Sequence, residues 1–273
     1  MKRTMIIMAA ATLMMAACDK IASDEYTIAG SGATGGDNWR NANPHRVYVE
    51  KYTGPKCPNC PDADITLEAA HQRFGDNLVI VSINHPKGQG EPFAGEPDMR
   101  TEAGTAWDTY FGINAIPAAY INRNTAKQYS GAMSNIGADI ESVIATSAQA
   151  GITITATAVG DSITVDADIS ILSTISDRLS LTLAITEDSL PYRQIDGDEI
   201  VDGYVHNHML RAVITDIWGN DIPVEGNAGD HVIGTFGYNA AGSGIKLVNS
   251  HVVALVSRKS DRQVLNCAEC RIE

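Results

Sequence analysis

Two cysteine pairs at C-x-x-C spacing, Cys57/Cys60 and Cys267/Cys270, are the residues of this chain whose type and spacing could do chemistry. Thiols three residues apart can form a disulfide, exchange it with a substrate or help to hold a metal, so their surroundings decide among these outcomes. The first pair sits in Lys56-Cys57-Pro58-Asn59-Cys60-Pro61. At the start of a helix, free backbone N–H groups and the positive end of the helix dipole favour a thiolate at Cys57, and Lys56 adds to that effect. The thiolate is the attacking species, and Cys60, one turn on, is placed to displace a mixed disulfide and release the substrate. Pro58 and Pro61 lack N–H groups and suit a first helical turn.

Competing readings attach to the same residues. Cys57 and Cys60 could form a structural disulfide that does not turn over. Zinc held by both pairs is disfavoured by their long separation along the chain. Cys267 and Cys270 fall at the end of a strand-like stretch, where positions i and i+3 face opposite ways, so a second disulfide needs a turn or bulge there. A terminal staple is preferred over a pair that exchanges with the first. His206-Asn207-His208 puts two imidazoles on one face if extended, but shows no third ligand, and His71 and His85 receive no role. The acids of Asp196-Gly197-Asp198-Glu199 match no calcium-loop spacing and read as a solvated loop. No metal or cofactor is therefore expected. The formal net charge of -13 argues against nucleic-acid binding, which needs clustered Lys and Arg.

The chain begins as an exported protein would. Lys2 and Arg3 precede an apolar run over 5–15, followed by Ala16-Ala17-Cys18. The run is about half the ~20 residues that cross a bilayer as a helix. Small residues directly before a cysteine resemble the lipobox of bacterial lipoproteins, which implies cleavage after residue 17, lipidation of Cys18 and attachment to a membrane. Residues 18–43 are polar and Gly-rich, the composition of a flexible tether. Removing Cys18 leaves an even number of cysteines, as an oxidising compartment favours.

Several elements must position the first motif. Residues 46–52 read as a strand, 64–74 as a helix with Ile65, Leu67, Ala69, Ala70 and Phe74 on its apolar face, and 78–83 as a buried strand. This β–C-x-x-C–α–β order favours parallel strands joined by a right-handed crossover. A helix over 99–111, a strand over 118–122 and a helix over 134–148 complete an α/β unit, residues 44–148. Beyond it, period-two alternation recurs over 152–158, 162–169 and 179–185, with further strands at 209–216, 231–238, 250–257 and 263–267. About seven strands of this kind indicate an all-β sandwich over 149–273, with an immunoglobulin-like topology as the leading expectation. This second unit carries the larger share of the acids.

Strand, C-x-x-C, helix and strand, then Ile116-Pro117 opening a further strand, resemble thioredoxin-like proteins. The resemblance implies that Pro117 lies in cis beside the cysteines and positions substrate. It also implies that Glu50, near the end of the first strand, moves a proton for Cys60, although the loop to Cys57 is one residue longer than in thioredoxin. The C-P-x-C form leaves the direction of electron flow open.

The mature chain is also similar to an outer-membrane lipoprotein family named for a twenty-eight-kilodalton surface protein of anaerobic Gram-negative bacteria. The similarity rests on the leader, on Val47-Tyr48-Val49-Glu50 followed by Thr53-Gly54 and C-P-N-C, on Ile116-Pro117, and on Tyr204-Val205-His206-Asn207-His208-Met209-Leu210-Arg211. It implies a cell-envelope location, most simply the outer membrane. Two functions follow as expectations. One is thiol–disulfide exchange on envelope proteins; the other is a non-catalytic surface lipoprotein that binds a partner through its acidic sandwich.

Overall fold

The computed structural model describes residues 26–29 and 44–273; the leader and Cys18 lie outside the described residues. A mixed α/β sheet forms the centre. Strand β2 (Val47–Thr53) leads through the C-x-x-C into helix α1 (Cys60–Phe74), which returns to β3 (Leu78–Asn84), parallel to β2. Helix α2 (Glu102–Phe111) follows, then β4 (Ala118–Ile121), β5 (Tyr129–Ser130) and α3 (Ile136–Ile144). The remainder is strand: β6 (Ala150–Val159), β7 (Ser162–Ile171), β8 (Leu179–Glu187), β9 (Leu190–Asp196), β10 (Glu199–His206), β11 (Met209–Val213), β12 (Asn220–Asp221), β13 (His231–Asn239), β14 (Ser250–Arg258) and β15 (Val264–Arg271).

The large sheet runs β15-β14-β8-β11-β3-β2-β4-β5, with β12 joining β8. It crosses the boundary expected near residue 148. The join is a parallel bridge between Met209 of β11 and Ser82 of β3, beside which the Ser82 N–H donates to the His208 carbonyl at 2.7 Å. Strand order of this kind has no local sequence signature, so two separable units were the natural expectation. A second sheet, β13-β7-β6, packs against the β8, β14 and β15 end through Ile152, Val165, Ile169, Leu181, Leu183, Val252 and Val256. Part of the expected tether, Tyr26–Ala29, is strand β1 and pairs antiparallel with β13. Its Tyr-Thr-Ile-Ala sequence has the β propensity to add to that edge.

The large sheet is covered differently on its two faces. At the β2–β4 end, α1 and α3 pack on Val47, Val49, Leu78 and Ile80. The opposite face is covered by α2 through Ala103, Trp107 and Phe111, which meet Tyr48, Tyr52, Val79 and Val81. Gly104 lets α2 approach closely, because a Cβ there would lie 2.8 Å from the Ile83 Cγ2. Thr101 caps α2 by accepting from the Gly104 N–H at 2.9 Å, and Gly112 in the left-handed region ends it.

Helix α1 starts four residues before the expected 64, at Cys60 itself. Its buried stripe is Ala63, Leu67 and Ala70, an i, i+4, i+7 set, whereas Ile65 is 69% exposed. The expected apolar face thus included two residues that are exposed, Ile65 and Ala69. The hairpin β9–β10 was missed altogether, since its side chains alternate weakly between core and water. Its turn, at Gly197 with φ +57, is the acidic segment read as a solvated loop.

Candidate functional site

Cys57 and Cys60 form a disulfide at the N-terminus of α1, with Cα atoms 5.5 Å apart. Asn59 precedes the helix, Pro61 occupies its first turn and Asp62 adds an acid there. The sulfur pair therefore sits at the positive end of the helix dipole, which stabilises a thiolate once the disulfide opens.

The pair is not open to solvent: Cys57 is 1% exposed and Cys60 0%. The hairpin β9–β10 forms a roof over it. The Ile195 N–H donates to the Pro55 carbonyl at 2.8 Å and the Gly197 N–H to the Pro58 carbonyl at 3.0 Å. The Gln194 side-chain amide donates to the Cys57 carbonyl at 2.9 Å from a buried position. The hairpin's far strand is held by the Tyr204 hydroxyl, which donates to Asp64 Oδ2 at 2.9 Å, and Asp64 in turn pairs with the buried Lys51 ammonium. Arg193, on the near strand β9, binds Glu96 at 2.9 Å.

A second loop closes the flank. Gly54 and Gly90 touch backbone where a Cβ would not fit, at 2.4 Å from the Gln89 carbonyl and 1.8 Å from the His85 carbonyl respectively. The Lys56 N–H donates to the Gln89 carbonyl at 3.0 Å, and His85 binds Asp108 at 2.7 Å. Burial raises the Asp108 carboxyl above its ordinary range, an effect that His85 partly offsets.

Pro117 follows a cis peptide bond with Ile116 and is buried. The antiparallel register pairs Ala118 with Tyr52, so Pro117 lies at the end of β2 from which the motif emerges. A cleft of about 230 Å³, lined by His85, Gln89, Asn114, Ala115 and Ile116, opens between this loop and the segment that holds Lys56.

Glu50 requires a correction. Strand alternation puts it on the face of Tyr48 and Tyr52, away from α1. Its carboxylate accepts from the Tyr48 hydroxyl at 2.7 Å, the Tyr52 hydroxyl and Arg123 Nε at 2.8 Å, so it is committed to a buried ion pair. Arg123 is itself enclosed by Tyr48, Trp107, Phe111 and Trp218. Burial, reinforced by the adjacent carboxylate, raises both tyrosine hydroxyls well above their ordinary range. The side chain of β2 that does reach α1 is Lys51, through Asp64, and the one-residue-longer loop was the signal for this shift.

The staple expected at Cys267 and Cys270 is absent; both are free thiols. Strand β15 stays regular there, so the two point to opposite sides: Cys267 lies in the cluster of Tyr48 and Trp107, and Cys270 against the core between the two sheets. Burial raises both thiols, Cys270 to about 11. His206 and His208 also part company. His206 is buried beside Tyr204, near Asp64 and Lys51, and burial pushes it down to about 4. His208 lies instead against His71, with ring centroids 5.3 Å apart.

Comparison with known proteins agrees with this architecture. The solved structure of HBP35 of Porphyromonas gingivalis superposes with a TM-score of 0.66 at 17% identity, covering 84% of this chain and 76% of that one. A structural-genomics protein of Agrobacterium tumefaciens gives 0.50 at 14% identity, covering 83% and 94%. A domain of the outer membrane lipoprotein Omp28 from Porphyromonas gingivalis, 18% identical, covers 46% of this chain and 89% of its own, with a TM-score of 0.32. At these identities the first two likenesses concern the fold. No curated protein sequence matches. The profile of the family described as outer membrane protein Omp28 matches residues 104–273, a span that holds Pro117, the β9–β10 roof and the β11 strand beneath His208. That span is more than half of the chain, which therefore belongs to the Omp28 family of outer membrane proteins.

Proposed function

We propose that this outer-membrane protein is anchored by a lipid on Cys18 and exchanges thiols and disulfides with other envelope proteins at a gated Cys57–Cys60 site. In this reading residues 1–17 are a cleaved leader and part of 18–43 is a tether. Residues 44–148 are a thioredoxin-like unit, and residues 149–273 are an immunoglobulin-like sandwich that supplies the roof. The observation that carries the reading is the position of the disulfide, between a strand and the N-terminus of α1, at the sheet end where Pro117 also lies.

The chemistry runs through the sulfur pair. A substrate thiolate attacks Cys57 Sγ, the Cys57–Cys60 bond breaks, and Cys60 leaves as a thiolate favoured by the helix N-terminus. A second substrate thiol then displaces Cys57, so that the substrate is oxidised by two electrons and the motif ends reduced. The reverse sequence reduces a substrate disulfide. Pro117 and its neighbours would position the substrate chain in the cleft beside Gln89.

The test is disulfide exchange by the full chain, using insulin reduction and oxidation of a reduced unfolded protein, with Cys57→Ser and Cys60→Ser as controls. Turnover that both substitutions abolish is expected. Absent turnover, or turnover that survives Cys57→Ser, would sink the proposal. The burial of Cys57 at 1% exposure favours the second reading, in which the disulfide is structural and the acidic sandwich binds a partner. Lack of turnover would select it.

A further inference from the structure

From the geometry at the far side of α1 we infer a divalent metal site of the zinc class, formed by Glu68, His71 and His208. Glu68 and His71 stand at i and i+3 of the helix, so both side chains leave the same face. His208, from the bend just before β11, meets them there. One ligand atom from each of the three lies within 4.8 Å of the other two. A tetrahedral zinc ion with bonds of about 2.0–2.1 Å sets its ligand atoms roughly 3.3 Å apart, so the cluster closes on an ion by side-chain adjustments of about 1 Å.

His208 is prepared for this role by its backbone. It occupies the left-handed region at φ +58, a conformation that costs a non-glycine residue energy and is held only when the surroundings demand it. Here its N–H donates to Asp188 Oδ1 at 2.6 Å and its carbonyl accepts from Ser82 at 2.7 Å. Asp188 also lies 3.8 Å from His208 Nδ1, while His208 Nε2 is the atom that faces Glu68, at 4.0 Å. A carboxylate behind one imidazole nitrogen, with the other nitrogen free for the ion, is the usual outer shell of a metal-bound histidine. Asp188 has a further histidine neighbour, His251, at 3.5 Å.

Three protein ligands leave a fourth position open. Glu68 and His208 also line a cavity of about 330 Å³ with Lys51, Asp64 and Tyr204, which leaves room for water or a small anion on the ion. His71 is eleven residues past Cys60, or about 16 Å along the helix axis, so the site is separate from the disulfide. His206, sequence neighbour to the site, takes no part, because it faces Asp64 and Lys51.

The experiment titrates Zn²⁺ and Co²⁺ into the chelator-stripped full chain without reductant, so that Cys57 and Cys60 stay paired. One equivalent should bind, and bound Co²⁺ should show the visible absorption of a tetrahedral site. His71→Gln and His208→Asn should each weaken binding by more than about tenfold. Asn accepts a positive φ, which preserves the fold at 208. Asp188→Asn should weaken binding by about 10- to 100-fold through loss of outer-shell support. His206→Gln should bind like wild type. Absence of binding, wild-type affinity in both ligand variants, or binding lost in Cys270→Ser instead would overturn the site. Thermal melts of the metal-free variants separate lost ligands from lost fold.

Discussion

Gln194→Ala should expose the Cys57–Cys60 disulfide without unfolding the protein. The Gln194 amide is 1% exposed and donates to the carbonyl of Cys57 at 2.9 Å, with a longer contact to the Gly54 carbonyl at 3.4 Å. Removing it takes one of two donors from a buried carbonyl, which keeps the Cys60 N–H at 3.3 Å, at a cost of about 0.5–1.5 kcal/mol, the net worth of one hydrogen bond. That cost falls on the closed roof, since an opened hairpin leaves the carbonyl free to meet water. At about 1.4 kcal/mol per tenfold, the population with the roof lifted should rise by roughly 2- to 12-fold. The disulfide is reachable only from that population, so its rate of reduction by a small dithiol should rise by the same factor wherever opening and closing are faster than attack. The assay is timed reduction followed by alkylation and mass analysis of the Cys57–Cys60 peptide, with circular dichroism and a melt to show that the fold persists. Tyr204→Phe, which removes the bond to Asp64 at the other strand of the hairpin, should raise the rate in the same direction. Reduction at the wild-type rate in both variants would refute the roof as a barrier.

Three further outcomes follow from the buried groups. His206 is held neutral by burial at about 4, against about 6.5 when unfolded, so the unfolded chain takes up the proton first as pH falls. The stability it confers is complete above pH 6.5 and declines by about 3 kcal/mol between 6.5 and 4; urea melts should show a shallower decline in His206→Gln. Arg123→Met should destabilise the protein by about 3–5 kcal/mol by leaving Glu50 in the core without a counter-charge, held only by the Tyr48 and Tyr52 hydroxyls, and Glu50→Gln should restore part of that loss in the double variant, as a denaturant double-mutant cycle would show. Native alkylation at pH 8 should spare Cys267 and modify Cys270 slowly, because burial raises both thiols; rapid labelling of Cys267 would contradict its packing against Trp107.

The elements that carry the motif were legible because their signals are local. Alternation and apolar runs located β2, β3, β6, β7, β8 and β14, and Ile116-Pro117 marked the start of β4. Contacts that depend on strand order were not legible. The roof comes from Gln194 and Ile195, and nothing near Cys57 announces them. Glu50 illustrates a subtler limit: one extra residue between β2 and Cys57 shifts by one the strand position that faces α1, so Lys51 stands where an acid was expected. His71, His206 and His208 show the same limit from the other side. The two neighbours in sequence face different groups, while the two separated by half the chain come together because β11 docks on β3.

The roof also sets an order of events for the making of this protein. Gln194 lies 137 residues beyond Cys57, the residue whose carbonyl it holds. A chain that emerges N-terminus first presents α1 and both cysteines well before the hairpin exists. During that interval the sulfur pair is open to any oxidant in the compartment, and afterwards it is sealed. The redox state inherited by the mature protein is therefore a record of its biogenesis, erased only when the hairpin lifts.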